Sequence, residues 1–135
     1  MNSKSIAPCG MNCNTCIGYL RDKNKCPGCR ERDTNKPNSC RKCTIKNCSI
    51  LKELKQKFCS DKCKKFPCKR LIQLDKRYKT KYGMSMLKNL EDIKEIGIRK
   101  FVENEKIRWK CPKCGEILCV HRDLCLKCGE VKQKQ

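Results

Sequence analysis

A short, strongly basic chain with many cysteines and few large apolar residues predicts a small metal-stapled α+β protein. The expected layout is an irregular multi-zinc Cys-rich region with short helices, a helical connector and a C-terminal zinc ribbon. Three observations carry this expectation. Leu, Ile, Val and Phe make up only 26 of 135 residues, and the formal net charge is +20. Burial alone rarely folds such a composition. Sixteen residues are Cys, and most fall in short pairs, as in metal knuckles, rather than singly as in a disulfide scaffold. The cysteines also partition the chain, with eleven in residues 1–68, none in 69–108 and five in 109–135.

The same arithmetic excludes whole classes of function. A full (β/α)8 barrel needs about 200 residues or more. No apolar run approaches the ~20 residues of a membrane-spanning helix, so no membrane partner is expected. Residues 1–10 hold no apolar segment of the secretory type, which predicts a cytoplasmic protein, where disulfides are disfavoured. The chain contains one His and fourteen acidic residues, and no phosphate-binding loop, dinucleotide motif or ordered Ser, His and Asp set. A binding role is therefore expected ahead of catalysis.

Residues 1–81 are expected to form a Cys-rich metal-binding domain ending in a basic helix. In Cys9-Gly-Met-Asn-Cys13-Asn-Thr-Cys16, three close thiolates have two readings. They complete zinc sites with later cysteines, or they hold three corners of a [4Fe–4S] cluster with one open iron. The second reading makes the chain an iron–sulfur redox or sensor protein. The radical S-adenosylmethionine class shares this spacing, but a chain this short cannot build its barrel. Cys26-Pro-Gly-Cys29 and Cys40-Arg-Lys-Cys43 have the spacing C-x2-C-x10-C-x2-C, which suits one tetrahedral ion. A competing partition pairs Cys43 with Cys48. Cys48, Cys59, Cys63 and Cys68 form the third candidate group. Ser49 is a candidate cap for a short helix carrying Ile50, Leu51, Leu54 and Phe58.

Pro67 suits the first turn of a helix, which places Cys68 where free N–H groups stabilise a thiolate. Leu71, Leu74 and Tyr78 share one face of that helix, and a loop is expected from Lys79 to Gly83. Residues 82–108 are the helical connector. Ser85 is the expected N-cap of a helix carrying Met86, Leu90 and Ile93, and Gly97 its stop. Ile98, Phe101 and Val102 open a further helix that runs to about Arg108. A protein–protein adaptor role for these helices is a further alternative, with the partner unknown.

Residues 109–135 are the zinc-ribbon module. Cys111-Pro-Lys-Cys114-Gly and Cys125-Leu-Lys-Cys128-Gly repeat the C-x2-C-x10-C-x2-C spacing. Two residues between thiolates let both sulfurs reach one ion, and the following Gly tolerates the positive φ of the knuckle. Cys119 and His121 lie between the knuckles. His121 reads as a loop residue rather than a ligand.

The positive charge concentrates in residues 36–81, which hold 16 basic and 3 acidic residues. Lys64, Lys65, Lys69, Arg70, Lys76 and Arg77 surround the Pro67 helix and are the candidate contacts for RNA or DNA. Lys dominates and aromatics are few, which points to non-specific phosphate contact rather than base reading. Tyr78, Tyr82 and Trp109 are the few stacking candidates, with Trp109 expected to pack on the ribbon.

Taken in order, Cys9-Gly-x-x-Cys13-x-x-Cys16-x-x-Tyr19, Cys26-x-Gly-Cys29-Arg30, Cys43-x-Ile-x-x-Cys48 and Phe66-Pro-Cys68 resemble the family Domain of Unknown Function 3795. The resemblance spans about residues 6–78, and the C-terminal ribbon suggests a longer subtype. It implies a Cys-rich zinc-binding protein of the cytoplasm and supplies no reaction or substrate. One departure is the three-residue gap between Cys59 and Cys63.

Overall fold

The computed structural model describes residues 1–23, 25–31, 36, 40, 43, 45, 47–49, 53, 57–61, 63, 64 and 66–132. All sixteen cysteines are among them. Ile50, Leu51 and Leu54, the expected apolar face of a helix after Ser49, lie outside the described residues, as does Lys65.

Two short 3-10 turns, Ser3–Ser5 and Cys13–Thr15, precede a one-turn helix α1, Ile17–Leu20. Three longer helices follow: α2, Lys69–Tyr82; α3, Met86–Ile96; and α4, Ile98–Arg108. Helix α2 packs on α3, and α3 on α4. Strand among the described residues is limited to three isolated antiparallel bridges, Ile6 with Asn12, Lys110 with Ile117 and Leu124 with Val131. The β component of the expected α+β class thus amounts to single-pair closures of loops. Each knuckle is a tight turn, and its flanks pair at only one position.

The helix boundaries follow from local chemistry. Helix α2 begins one step later than Pro67 suggests. Cys68 is its N-cap, in extended conformation, and Pro67 lies just outside after a cis Phe66–Pro67 peptide. The helix also continues through the expected Lys79–Gly83 loop as far as Tyr82, where Gly83 at φ +64° ends it. Tyr82 explains the extension. It lies one turn beyond Tyr78, and both rings pack against His121, at centroid distances of 4.9 and 5.6 Å. Ser85 caps α3 by accepting from the Lys88 N–H, and Gly97 closes that helix and opens α4.

The core runs through all parts of the chain. Ile6, Leu71, Met86, Leu90 and Val120 are fully buried, so the N-terminal loop, each of the first two long helices and the C-terminal segment contribute. Trp109 is buried, and its Nε1–H donates to Glu105 Oε1 at 3.3 Å. Asn12 Nδ2 donates to the same oxygen at 3.4 Å. Burial pushes the Glu105 carboxyl above the usual range, and the neighbouring Arg108 opposes that shift.

Asp75 fixes the α2–α3 corner. Buried on α2, its Oδ1 accepts from Ser85 Oγ at 2.6 Å and from the Leu87 N–H at 3.0 Å. One carboxylate therefore holds the capping residue and a first-turn amide of the next helix. Asp75→Ala leaves both donors without this acceptor and should lower the unfolding free energy by about 2–3 kcal/mol. Asp75→Asn keeps one acceptor oxygen and should lose less. Urea unfolding followed by CD measures both, and an Asp75→Ala loss below about 0.5 kcal/mol would overturn this account.

Candidate metal centres

The C-terminal group is the clearest. The sulfurs of Cys111, Cys114, Cys125 and Cys128 all lie within 4.8 Å of one another. Two matching turns bring them there. The Gly115 N–H donates to the Cys111 carbonyl at 2.9 Å, and the Cys111 N–H to the Glu116 carbonyl at 2.8 Å. The Gly129 N–H donates to the Cys125 carbonyl at 3.0 Å, and the Cys125 N–H to the Glu130 carbonyl at 2.9 Å. Gly115 and Gly129 have φ of +80° and +77°, the region in which a side chain is strained. The knuckle amides also aim at sulfur. The Cys128 N–H, above all, holds the Cys125 thiol down to about 6, and the Cys114 N–H likewise lowers Cys111. Four convergent sulfurs with amide donors behind them suit a tetrahedral thiophilic ion.

A second gathering of cysteines lies in the N-terminal half, although among the described residues only the C-terminal four converge closely enough to hold an ion. A cavity of about 460 Å3 is lined by Cys9, Cys13 and Cys16, by the pair Cys26 and Cys29, and by the pair Cys40 and Cys43. Lys36 and, from α2, Arg70, Arg77 and Tyr78 share the lining. The structure thus brings the first two candidate groups to one place. The sulfurs also sense one another. Burial, then the charges of Cys29 and Cys13, pushes the Cys9 thiol up. Burial pushes Cys13 up to about 12, opposed by the Cys29 N–H that donates to its sulfur. Burial also raises Cys16, with Cys40 and Cys26 adding to the shift. Such thiols do not ionise side by side unless a cation joins them.

Burial raises the Cys59 thiol to about 12, and Cys68, Cys48, Cys63 and then Cys43 add to the shift, so this group adjoins the cavity through Cys43. Cys119 is fully buried beside the C-terminal knuckles. The Lys132 ammonium donates to its carbonyl at 2.9 Å.

Several polar contacts tie stretches of the N-terminal half to one another, and one ties it to α3. Arg30 spans two stretches of chain, donating from Nε to the Ile6 carbonyl at 2.7 Å and from Nη2 to the Lys57 carbonyl at 2.6 Å. The buried Lys36 donates to the carbonyls of Cys29 and Glu31 at 3.0 and 2.5 Å. The Cys59 N–H reaches the Pro8 carbonyl at 2.9 Å, and the Cys26 N–H the Gly18 carbonyl at 2.8 Å. Asn89 on α3 donates to the Gly10 carbonyl at 2.9 Å.

His121 has a structural place. The Ile17 N–H donates to its Nδ1 at 3.3 Å, so Nδ1 carries no proton. In the neutral ring Nε2 is then the protonated nitrogen, and it donates to Tyr78 Oη at 2.9 Å. Burial, with Arg122 and Lys132 nearby, lowers its pKa and keeps it neutral. Just before it, the Val120 N–H donates to the Thr15 carbonyl at 2.8 Å. The C-terminal segment is thereby tied to the cysteine loop on either side of Cys16.

Lys64, Lys69, Arg70, Lys76 and Arg77 are all exposed. Arg70 and Arg77 also line the cysteine cavity, and Arg70 Nη2 lies 3.8 Å from Cys48 Sγ. Tyr78, Tyr82 and Trp109 are engaged in packing. Arg30 was marked in the sequence by its place after Cys29, whereas nothing local distinguished Lys36 from other lysines.

This geometry defines a small cysteine-rich protein with short helices and a C-terminal group of four cysteines that can hold a metal ion. Residues 5–73 match the family described as Protein of unknown function (DUF3795), and the chain belongs to that family. No curated protein and no solved structure matches the chain.

Gly10 shows why the loop tolerates little change. Its φ is +95°, and a Cβ there would lie 2.7 Å from the Met86 carbonyl oxygen and 3.1 Å from Leu90 Cγ. Gly10→Ala adds backbone strain to a clash with the start of α3 and should cost about 2 kcal/mol or more. Gly83→Ala is the comparison, since nothing lies within 4 Å of its Cβ position and only the strain of φ +64° applies. Thermal unfolding of both variants measures the difference. Equal losses would remove the clash with α3 as the cause.

Proposed function

We propose that this protein is a multi-site zinc-binding protein in which metal–thiolate bonds supply most of the folding energy. The observation that carries this reading is the gathering of cysteines at separate places, seven around one cavity and four in the C-terminal group. No carboxylate or imidazole lines the cavity among the described residues, and an all-sulfur donor set favours zinc or iron–sulfur chemistry over hard cations. Knuckles backed by amide donors and closed by glycine support zinc at the C-terminus, in a ribbon-like module. A bound zinc there would be closed on all four sides, which suits structure rather than hydrolysis. A cytoplasmic setting, where thiols stay reduced, fits this chemistry.

Elemental analysis with a visible spectrum on anaerobically purified protein tests the reading. The expected result is a colourless protein with about three or more zinc ions per chain. A brown protein with broad absorption near ~400 nm and stoichiometric iron would overturn it in favour of an iron–sulfur centre at Cys9, Cys13 and Cys16.

A second reading, contact with nucleic-acid phosphate, rests on the exposed Lys69, Lys76, Lys79 and Lys81 of α2, with Lys64 just before it. A run of ammonium groups attracts the backbone without reading bases. Titration with RNA and DNA at two salt concentrations should give binding that weakens steeply as salt rises. No binding at low ionic strength would end this reading.

A further inference from the structure

We propose that α2 lies along the major groove of duplex DNA, with one row of cations on the phosphates of each wall. The inference rests on the phosphate-contact reading above and names both the nucleic acid and the groove.

Helix α2 differs in charge from the helices beside it. Its fourteen residues, Lys69–Tyr82, hold six basic residues and one acid, Asp75. Asp75 is buried and turned toward the start of α3, where it accepts from Ser85 Oγ and the Leu87 N–H. Lys79 reaches it at 3.7 Å and stays exposed. The exposed surface of α2 therefore carries no acid of its own. On α3 and α4 cations and acids alternate and pair, Lys88 with Asp92 at 3.1 Å and Lys106 with Glu103 at 3.1 Å. An ordinary solvated helix has the second pattern, not the first.

Helical periodicity divides the six cations into two rows. Lys69, Lys76 and Lys79 form one, and Arg70, Arg77 and Lys81 form the other, about 100° further round the axis. All six are exposed. The second row adjoins the cysteine cavity, which Arg70 and Arg77 also line. Gln73 and Thr80 lie between the rows, exposed and uncharged. On the opposite side Leu71 is buried, and Leu74, Tyr78 and Tyr82 pack against the core. The apolar face thus fixes the helix to the body of the protein and leaves the basic face outward.

Shape then selects the partner. An α-helix with its side chains is about 10–12 Å across, and the major groove of B-DNA is about 12 Å wide. Fourteen residues extend about 21 Å along it. A helix in that groove has phosphates on both sides. Two rows of cations match the two walls, and the uncharged strip between them faces the floor. The deep, narrow major groove of A-form RNA admits no helix. A single strand offers one line of phosphates and leaves one row idle.

The test is fluorescence anisotropy of the full chain with a short labelled DNA duplex, compared with the single strand and with double-stranded RNA of the same sequence. Duplex DNA should bind about tenfold more tightly than either, and its affinity should fall about a thousandfold between 50 and 200 mM salt, as six phosphate contacts require. Bound protein should protect guanine N7, which faces the major groove, from dimethyl sulfate. Netropsin, a minor-groove ligand, should not displace it. Lys69→Gln with Lys76→Gln, or Arg77→Gln with Lys81→Gln, should each weaken binding about tenfold and lower the salt slope by about 2. Lys100→Gln, at an exposed position on α4, should change neither. Should a double variant fail to fold, the duplex preference and the guanine protection in the unaltered protein decide. Equal binding of single strands or double-stranded RNA, or displacement by netropsin, would overturn the inference and leave the phosphate reading standing. Polyglutamate that competes as well as DNA would overturn it in favour of an acidic protein partner. No binding at low ionic strength would end the phosphate reading as well.

Discussion

Like charges do not share a protein interior unless something of opposite sign sits among them. That constraint governs this molecule at two scales. Over the whole chain, a net charge of +20 works against compaction. Within the cysteine cavity, burial and mutual repulsion hold thiols such as Cys9 and Cys13 in the protonated form. A divalent cation bound there would relieve the local problem by joining sulfurs that otherwise repel, and the anionic thiolate group so formed would offset lysines and arginines of the surrounding chain. The apolar core is real, with Leu71, Met86 and Leu90 fully buried at its middle. It is nevertheless built from few residues, and the positions of the cysteines decide what those residues can meet.

The polar contacts at the helix junctions extend the same logic to uncharged groups. Asp75 holds the start of α3, Glu105 holds Asn12 against Trp109, and Asn89 holds the Gly10 carbonyl. Asp75 joins α2 to α3, whereas Glu105 and Asn89 tie α4 and α3 to the distant N-terminal loop. No buried side-chain nitrogen or oxygen among the described residues lacks a partner. In a small core these contacts set the register of loop on helix, which apolar packing alone leaves loosely specified.

Features set by neighbouring residues were legible in the sequence. Ser85 as a cap, Gly97 as a stop and the paired C-terminal knuckles follow from rules that act over a few positions. The convergence of Cys111, Cys114, Cys125 and Cys128 is of that kind, because each half is a self-contained turn. What was not legible depends on distance through space. Nothing in the Cys26–Cys43 spacing reveals that Cys9, Cys13 and Cys16 line the same cavity. The end of α2 was misplaced because Tyr82 is held in the helix by His121, nearly forty residues away. His121 carried no local sign of its role, and Lys36 looked like any other lysine. Arg70 and Arg77 are exposed on α2, and nothing in one sequence shows that they also line the cysteine cavity.

The ties around His121 also have a consequence in time. Thr15 and Ile17 flank Cys16, and their partners are the Val120 amide and the His121 ring. A ribosome makes those partners on the order of ten seconds after the Cys40–Cys43 knuckle at ordinary elongation rates. During that interval the cysteines of the N-terminal half stand without the segment that later covers them. The order in which the pieces are made therefore leaves the cysteine cavity open before the C-terminal segment closes on it.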